Sequence, residues 1–169
     1  MLIPDRHIII LVMVMGCLLL LQSCSDDTSA LHTEIEVAPD FNLELFDGGT
    51  FQLSDMKGKV VVINFFASWC VSCGEETPTI ERISQKYAKK GVVFLAIAID
   101  DTEKKARAFI KKHGLNIPAG LDREGEIKEA YGLYGMPTTF FIDKEGMVRY
   151  FHAGVVTEKL LDHEIRKLL

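Results

Sequence analysis

The 169-residue chain is 48% hydrophobic and 25% charged and carries a formal net charge of −5. That suits one globular domain with its own core plus additional apolar sequence. An acidic balance without a concentrated basic face argues against nucleic acid as a partner, and the pairs Lys104-Lys105 and Lys111-Lys112 read as the solvated face of a helix.

The surplus apolar sequence lies at the start, where His7 to Leu21 contains no charged residue apart from that histidine. The stretch from Ile8 to Leu21 is short for a bilayer-spanning helix, which needs about 20 residues, and suits a secretory signal core. It ends in Leu21-Gln22-Ser23-Cys24. A leucine placed before small or polar residues and a cysteine resembles a bacterial lipoprotein processing site. By that resemblance Cys24 becomes the lipidated first residue of the mature chain; the alternative is an uncleaved anchor. Either way residues 1–23 place the folded part outside the cytoplasm and hold it to a membrane. Cys17, inside the apolar run, behaves as a small hydrophobe. Residues 24–38 turn polar and read as a flexible tether.

The domain is expected over 39–169. Asn42 to Leu45 and Thr50 to Leu53 flank the turn Asp47-Gly48-Gly49 and read as a hairpin. Lys59 to Phe66 is β-branched and nearly continuously apolar, the composition of a buried central strand. A helix follows from about Cys70 to Lys90, with Pro78 removing one backbone donor inside it. Val92 to Ile99 is a second buried strand. Thr102 to His113 is an amphipathic helix capped by Thr102 and stopped by Gly114. A short strand at Ile117–Leu121 and a short helix at Glu124–Tyr131 precede a hairpin, Thr138–Ile142 with Met147–His152. Thr157 to Leu169 closes the chain as a helix. Strands alternating with helices and then an antiparallel hairpin give an α/β domain with a mixed central sheet flanked by helices.

Two of the four cysteines stand in Trp69-Cys70-Val71-Ser72-Cys73. A zinc site normally needs four ligands. The other cysteines lie in the targeting segment, and His7, His32, His113, His152 and His163 have no paired spacing. A structural disulfide gains most from a long loop, and a two-residue gap gains little. A redox pair fits the local structure. Cys70 stands where a strand gives way to a helix, and free N–H groups there with the macrodipole stabilise a thiolate. Cys73, one turn later, would resolve the mixed disulfide.

With these residues in view, the segment from Pro39 onward resembles a thioredoxin-fold protein of the extracytoplasmic TlpA/ResA type. Trp69, Cys70, Cys73, Glu76 and Pro78 match WCxxCxxExP, Ala38 to Phe41 match the APDF opening, and Tyr134 to Phe140 match a later motif. The resemblance implies a thioredoxin-like fold with an N-terminal hairpin and a central βα insertion, represented by the helical segment near 102–113 that precedes a short strand. It makes Pro137 a cis-proline beside the cysteine pair and Met136 a backbone partner for an extended substrate segment. Glu76 matches an acidic residue that raises thiol pKa values or carries a proton. Trp69 shields the pair and contacts substrate. Two positions depart from relatives: Asn64 stands where cytoplasmic thioredoxins bury an aspartate, and Ser72 where most of the family has proline.

The function implied is a membrane-tethered thiol–disulfide oxidoreductase that reduces disulfides of extracytoplasmic proteins, with no cofactor beyond the Cys70–Cys73 pair. An oxidising compartment demands an electron source, and the resemblance implies a transmembrane donor of the CcdA or DsbD class. Apocytochrome c is a candidate substrate, although Thr138 stands where the CcmG-type branch has glutamate. A peroxiredoxin-like peroxidase is the nearest enzymatic rival, but Ile63 and Ala67 occupy the PxxxTxxC positions for proline and threonine. A thioredoxin-fold copper chaperone is the non-enzymatic one, with His152 an unsupported third ligand beside two thiolates.

Overall fold

The computed structural model describes residues 36–169. The lipidation candidate Cys24 and the signal or anchor segment lie outside them. In chain order the elements are β1 (Asn42–Glu44), β2 (Thr50–Gln52), β3 (Val60–Phe66), α1 (Val71–Tyr87), β4 (Val92–Ala98), α2 (Glu103–His113), β5 (Ala119–Leu121), α3 (Glu126–Ala130), β6 (Thr138–Ile142), β7 (Val148–Ala153) and α4 (Glu158–Leu168).

Five strands form one sheet in the order β5-β4-β3-β6-β7. β3 pairs in parallel with β4, and β4 with β5, while β6 runs antiparallel to both β3 and β7. All seven residues of β3 are buried, which is why its sequence is apolar without alternation. Its even-numbered residues Val60, Val62 and Phe66 join the core beneath α1, α2 and α4. The odd-numbered Val61, Ile63 and Phe65 join a second core, covered by α3 and the β1–β2 hairpin. The period-2 geometry of a strand thus splits one hydrophobic run between two layers.

The β1–β2 hairpin is a separate two-stranded sheet. It reaches the main sheet at β5, where Leu45 bridges Gly120 and the Phe46 N–H donates to the Ala119 carbonyl at 2.7 Å. Only glycine fits at Gly120, because a Cβ there would collide with the Glu44 carbonyl and the Leu43 side chain. Residues 36–38, which the tether reading included, pair with the domain. The Val148 N–H donates to the Glu36 carbonyl and the Ala38 N–H to the Gly146 carbonyl, both at 2.9 Å, so residues before Pro39 pair along the start of β7. Ala38 is small enough to enter the core there.

α1 continues through Pro78, and Thr77 Oγ1 donates back to the Cys73 carbonyl at 2.8 Å. α2 starts after Thr102, as its sequence suggests, but the Thr102 side chain does not cap it. Asp101 instead fixes the entry to the helix, its Oδ1 accepting from the Thr102 N–H at 2.7 Å.

Candidate active site

β3 ends at Phe66, and the chain turns through Ala67, Ser68 and Trp69 into α1. Cys70 is the N-cap of that helix, and its Sγ accepts a hydrogen bond from the Cys73 N–H at 3.2 Å. A sulfur therefore takes the position that a serine or aspartate oxygen normally fills, facing the free N–H groups of the first turn. Cys70 and Cys73 are joined as a disulfide with their Cα atoms 5.3 Å apart. Cys70 is 8% exposed and Cys73 only 2%, so the first sulfur is the more open to a partner. The Ser72 hydroxyl lies 3.5 Å from Cys70 Sγ. Against a thiolate only the hydroxyl can donate, a contact proline could not offer.

Asp101, at the end of β4, holds the turn that precedes the pair. Its Oδ2 accepts from the Ser68 N–H at 2.6 Å and its Oδ1 from the Ser68 hydroxyl at 3.0 Å. The Trp69 indole N–H donates to the Asp100 carbonyl at 3.0 Å, and Asp100 has a positive φ of 50°. Trp69 is 60% exposed, so its ring is offered to solvent beside Cys70. Asp100 and Asp101 are absent from the sequence reading. Two carboxylates directly after a parallel strand that neighbours β3 are a usable signal, since loops at the carboxyl ends of parallel strands carry function.

Glu76 is buried, at 1% exposure. Asn64 Nδ2 donates to its Oε1 and the Val156 N–H to its Oε2, each at 2.8 Å. Loss of water around the carboxylate outweighs these two donors and pushes its pKa up to about 7. Asn64 also donates to Thr139 Oγ1 at 3.0 Å, its register partner on β6. Asn64, standing where cytoplasmic thioredoxins bury an aspartate, is thus a donor that holds Glu76. Val156, from the loop after β7, gave no sign in sequence because its contribution is a backbone N–H.

The Met136–Pro137 bond is cis. Phe65 pairs with Thr138, so Pro137 sits at the end of the sheet from which the Cys70 turn emerges. Thr138 Oγ1 donates to the Gly135 carbonyl at 2.8 Å and the Gly154 N–H to the Pro137 carbonyl at 2.8 Å. Met136 is half-buried, and among the described residues its backbone N–H and carbonyl have no partner.

A model of the Redoxin family matches residues 34–169. The chain belongs to the Redoxin family. Within it, the chain is 35% identical over 156 residues to the thiol-disulfide oxidoreductase ResA of Oceanobacillus iheyensis, covering 90% of this chain and 81% of the relative. It is 34% identical over 134 residues to the thioredoxin-like protein YneN of Bacillus subtilis, covering 78% of each. A putative thiol:disulfide interchange protein DsbE from Chlorobium tepidum superimposes with a TM-score of 0.74 at 32% identity, over 79% of this chain and 96% of that one. A putative protein disulfide isomerase from Bacteroides thetaiotaomicron gives 0.73 at 33%, over 79% and 88%. This Redoxin domain is therefore a TlpA/ResA-like thioredoxin-fold protein, and its Cys70–Cys73 pair makes it a thiol–disulfide oxidoreductase.

Around that pair the Redoxin domain gathers Trp69, Cys70, Cys73 and Glu76 on the turn and first helix, and brings Met136 and Pro137 to the same end of the sheet. His152 lies on β7, stacked with Tyr150 at 6.5 Å. Among the described residues no group of three or more His, Cys, Asp or Glu side chains is arranged to hold a metal ion.

Proposed function

We propose that the protein is a membrane-tethered reductant of disulfides in extracytoplasmic proteins, recharged by a transmembrane dithiol donor of the CcdA or DsbD class. What carries this reading is the asymmetry of the pair: Cys70 caps a helix and is reachable, whereas Cys73 is sealed beneath it. The apolar run ending in Leu21-Gln22-Ser23-Cys24 supports the tether. Apocytochrome c cysteines are candidate substrates.

The Cys70 thiolate attacks one sulfur of a substrate disulfide. A Cys70–substrate S–S bond forms, the substrate's own S–S bond breaks, and the leaving thiolate takes a proton. Cys73 then gives up its proton, attacks Cys70 Sγ and expels the second substrate thiol. Two electrons and two protons pass to the substrate, and the protein is left as its disulfide. Glu76, one turn beyond Cys73 with a pKa near neutrality, is the group placed to take the Cys73 proton and hand it on. Trp69 and the free backbone of Met136 beside cis-Pro137 hold the extended substrate segment.

The deciding experiment replaces Cys73 with serine in the full chain and identifies the proteins trapped on Cys70 in the membrane fraction. Extracytoplasmic proteins with paired cysteines are expected. No trapped species, together with a Cys70→Ser variant that behaves like the wild type, overturns the reading. A reduction potential near roughly −270 mV supports a reductant, and one near −120 mV reverses the direction.

A further inference from the structure

Cys70 opens onto a groove of about 400 Å3, of whose lining the exchange chemistry uses only Cys70 and Trp69. One wall is the Trp69–Val71 turn, with both of those side chains exposed. The other is the face of α2 that carries Lys105, Ala108, Phe109 and Lys112. These positions recur at helical spacing, so the two lysines stand two turns apart on one face with the short Ala108 side chain between them. His113 closes the groove by lying against Gly74, and its ring packs at a tilt of 37° against Phe109, the centroids 4.4 Å apart. The floor is apolar and the rim is cationic.

Among the described residues no carboxylate lines this groove. Among the described residues neither Lys105 nor Lys112 has an ion-pair partner. The acids at the start of α2 and just before it are engaged elsewhere, and Glu75, beside Gly74 on α1, does not line the groove. Asp101 accepts from Ser68 and Thr102, Glu103 pairs with Arg107 and Arg123, and Asp100 pairs with Lys128. Two lysines without an ion-pair partner among the described residues thus line the groove beside the reactive sulfur of a chain whose net charge is −5. The pattern Lys104-Lys105, Lys111-Lys112 reads in sequence as a solvated face; folding turns one lysine of each pair toward the disulfide.

We propose that this groove docks an acidic segment flanking the reacting cysteine of a protein substrate. The inference rests on disulfide exchange with proteins as proposed above, and adds which flanking sequence is preferred. Trp69, Phe109 and Ala108 take the apolar part of the segment, and Lys105 and Lys112 meet its carboxylates. Desolvation against the apolar floor strengthens those contacts beyond what fully exposed pairs give.

The test uses the reduced protein and three disulfide-linked peptides of matched length whose cysteine flanks are acidic, neutral or basic. Oxidation is followed by the fluorescence of Trp69, the only tryptophan in the chain. Rates are normalised to the reaction of each peptide with dithiothreitol, which removes the peptides' intrinsic differences. At low salt the acidic peptide should react about tenfold faster than the basic one, against the sign of the chain's net charge, and the gap should close in high salt. Lys105→Glu with Lys112→Glu should invert the order, and each single reversal should reduce it. Lys89→Glu with Lys90→Glu, an equal charge change at the far end of α1, should keep the wild-type order. Equal normalised rates in the wild type, or inversion by the Lys89/Lys90 variant as well, overturns the docking proposal while leaving exchange intact. If none of the three peptides oxidises the protein, exchange with protein disulfides itself fails, and docking with it.

Discussion

Glu76 shows how far one residue's behaviour depends on partners that its own neighbourhood in sequence does not contain. Position 76 in WCxxCxxExP marks an acid, but its pKa follows from burial under the loop that presents Val156 and from the donor Asn64. Because the folded pKa, about 7, lies above the usual carboxylate value of 4.5, the native state binds the extra proton between those two values. Stability from this group is therefore present in acid and is lost as pH rises through the folded pKa. The displacement corresponds to on the order of 3 kcal/mol. Glu76→Gln carries no such charge, and an amide flip of Asn64 can accommodate its NH2. Urea unfolding of the oxidised proteins should show the wild type losing about 3 kcal/mol relative to Glu76→Gln between pH 4 and pH 8. A difference that stays flat with pH would mean that Glu76 remains ionised throughout.

Between elements, the contact that sets the groove beside Cys70 is α1 against α2, and it runs through a glycine. Gly74 lies inside α1, where alanine would ordinarily stabilise by about 1 kcal/mol. A Cβ at that position would stand 2.7 Å from His113 Cε1 and 3.0 Å from Nε2, so the imidazole has to move before alanine fits. His113 is held by its tilted packing against Phe109, which resists that movement. Gly74→Ala should therefore fail to stabilise the wild type, yet stabilise a His113→Ala background by about 0.5–1 kcal/mol. Equilibrium unfolding of the four proteins in the cycle measures the coupling. Full additivity would show that the ring is not pressed on Gly74 in solution.

At the scale of the molecule, legibility followed the range of the interactions. The buried strands, the helix launched at Cys70 and the C-terminal hairpin were readable because each is written in a contiguous stretch: the apolar run of β3, the CxxC spacing, the turn Asp143-Lys144-Glu145-Gly146. What escaped reading joins distant stretches, as when Asp101 holds Ser68, Val156 holds Glu76 and His113 rests on Gly74. The domain's start escaped for the same reason. Glu36 to Ala38 look like tether by composition, but their partners are Gly146 to Val148 at the other end of the chain. Pro39 accepts a hydrogen bond from the Tyr131 hydroxyl at 3.0 Å, and Asp40 takes the N–H groups of Phe41 and Ser54 at 3.0 and 2.9 Å. Phe41 completes the second core, stacked on Phe51 at 6.0 Å. A chain beginning at Glu36 keeps all of these contacts, whereas one beginning at Asn42 loses the bridge, the hydrogen bonds that Glu36, Ala38, Pro39, Asp40 and Phe41 make to the rest of the domain, and a core aromatic. Loss of the Phe41 side chain alone costs about 3 kcal/mol or more. Thermal unfolding should therefore find the Glu36 chain as stable as the full-length protein and the Asn42 chain lower in Tm by about 10 °C or more. Equal melting of the two truncations would place the true edge of the cooperative unit after Phe41 and reduce residues 36–41 to a passive extension.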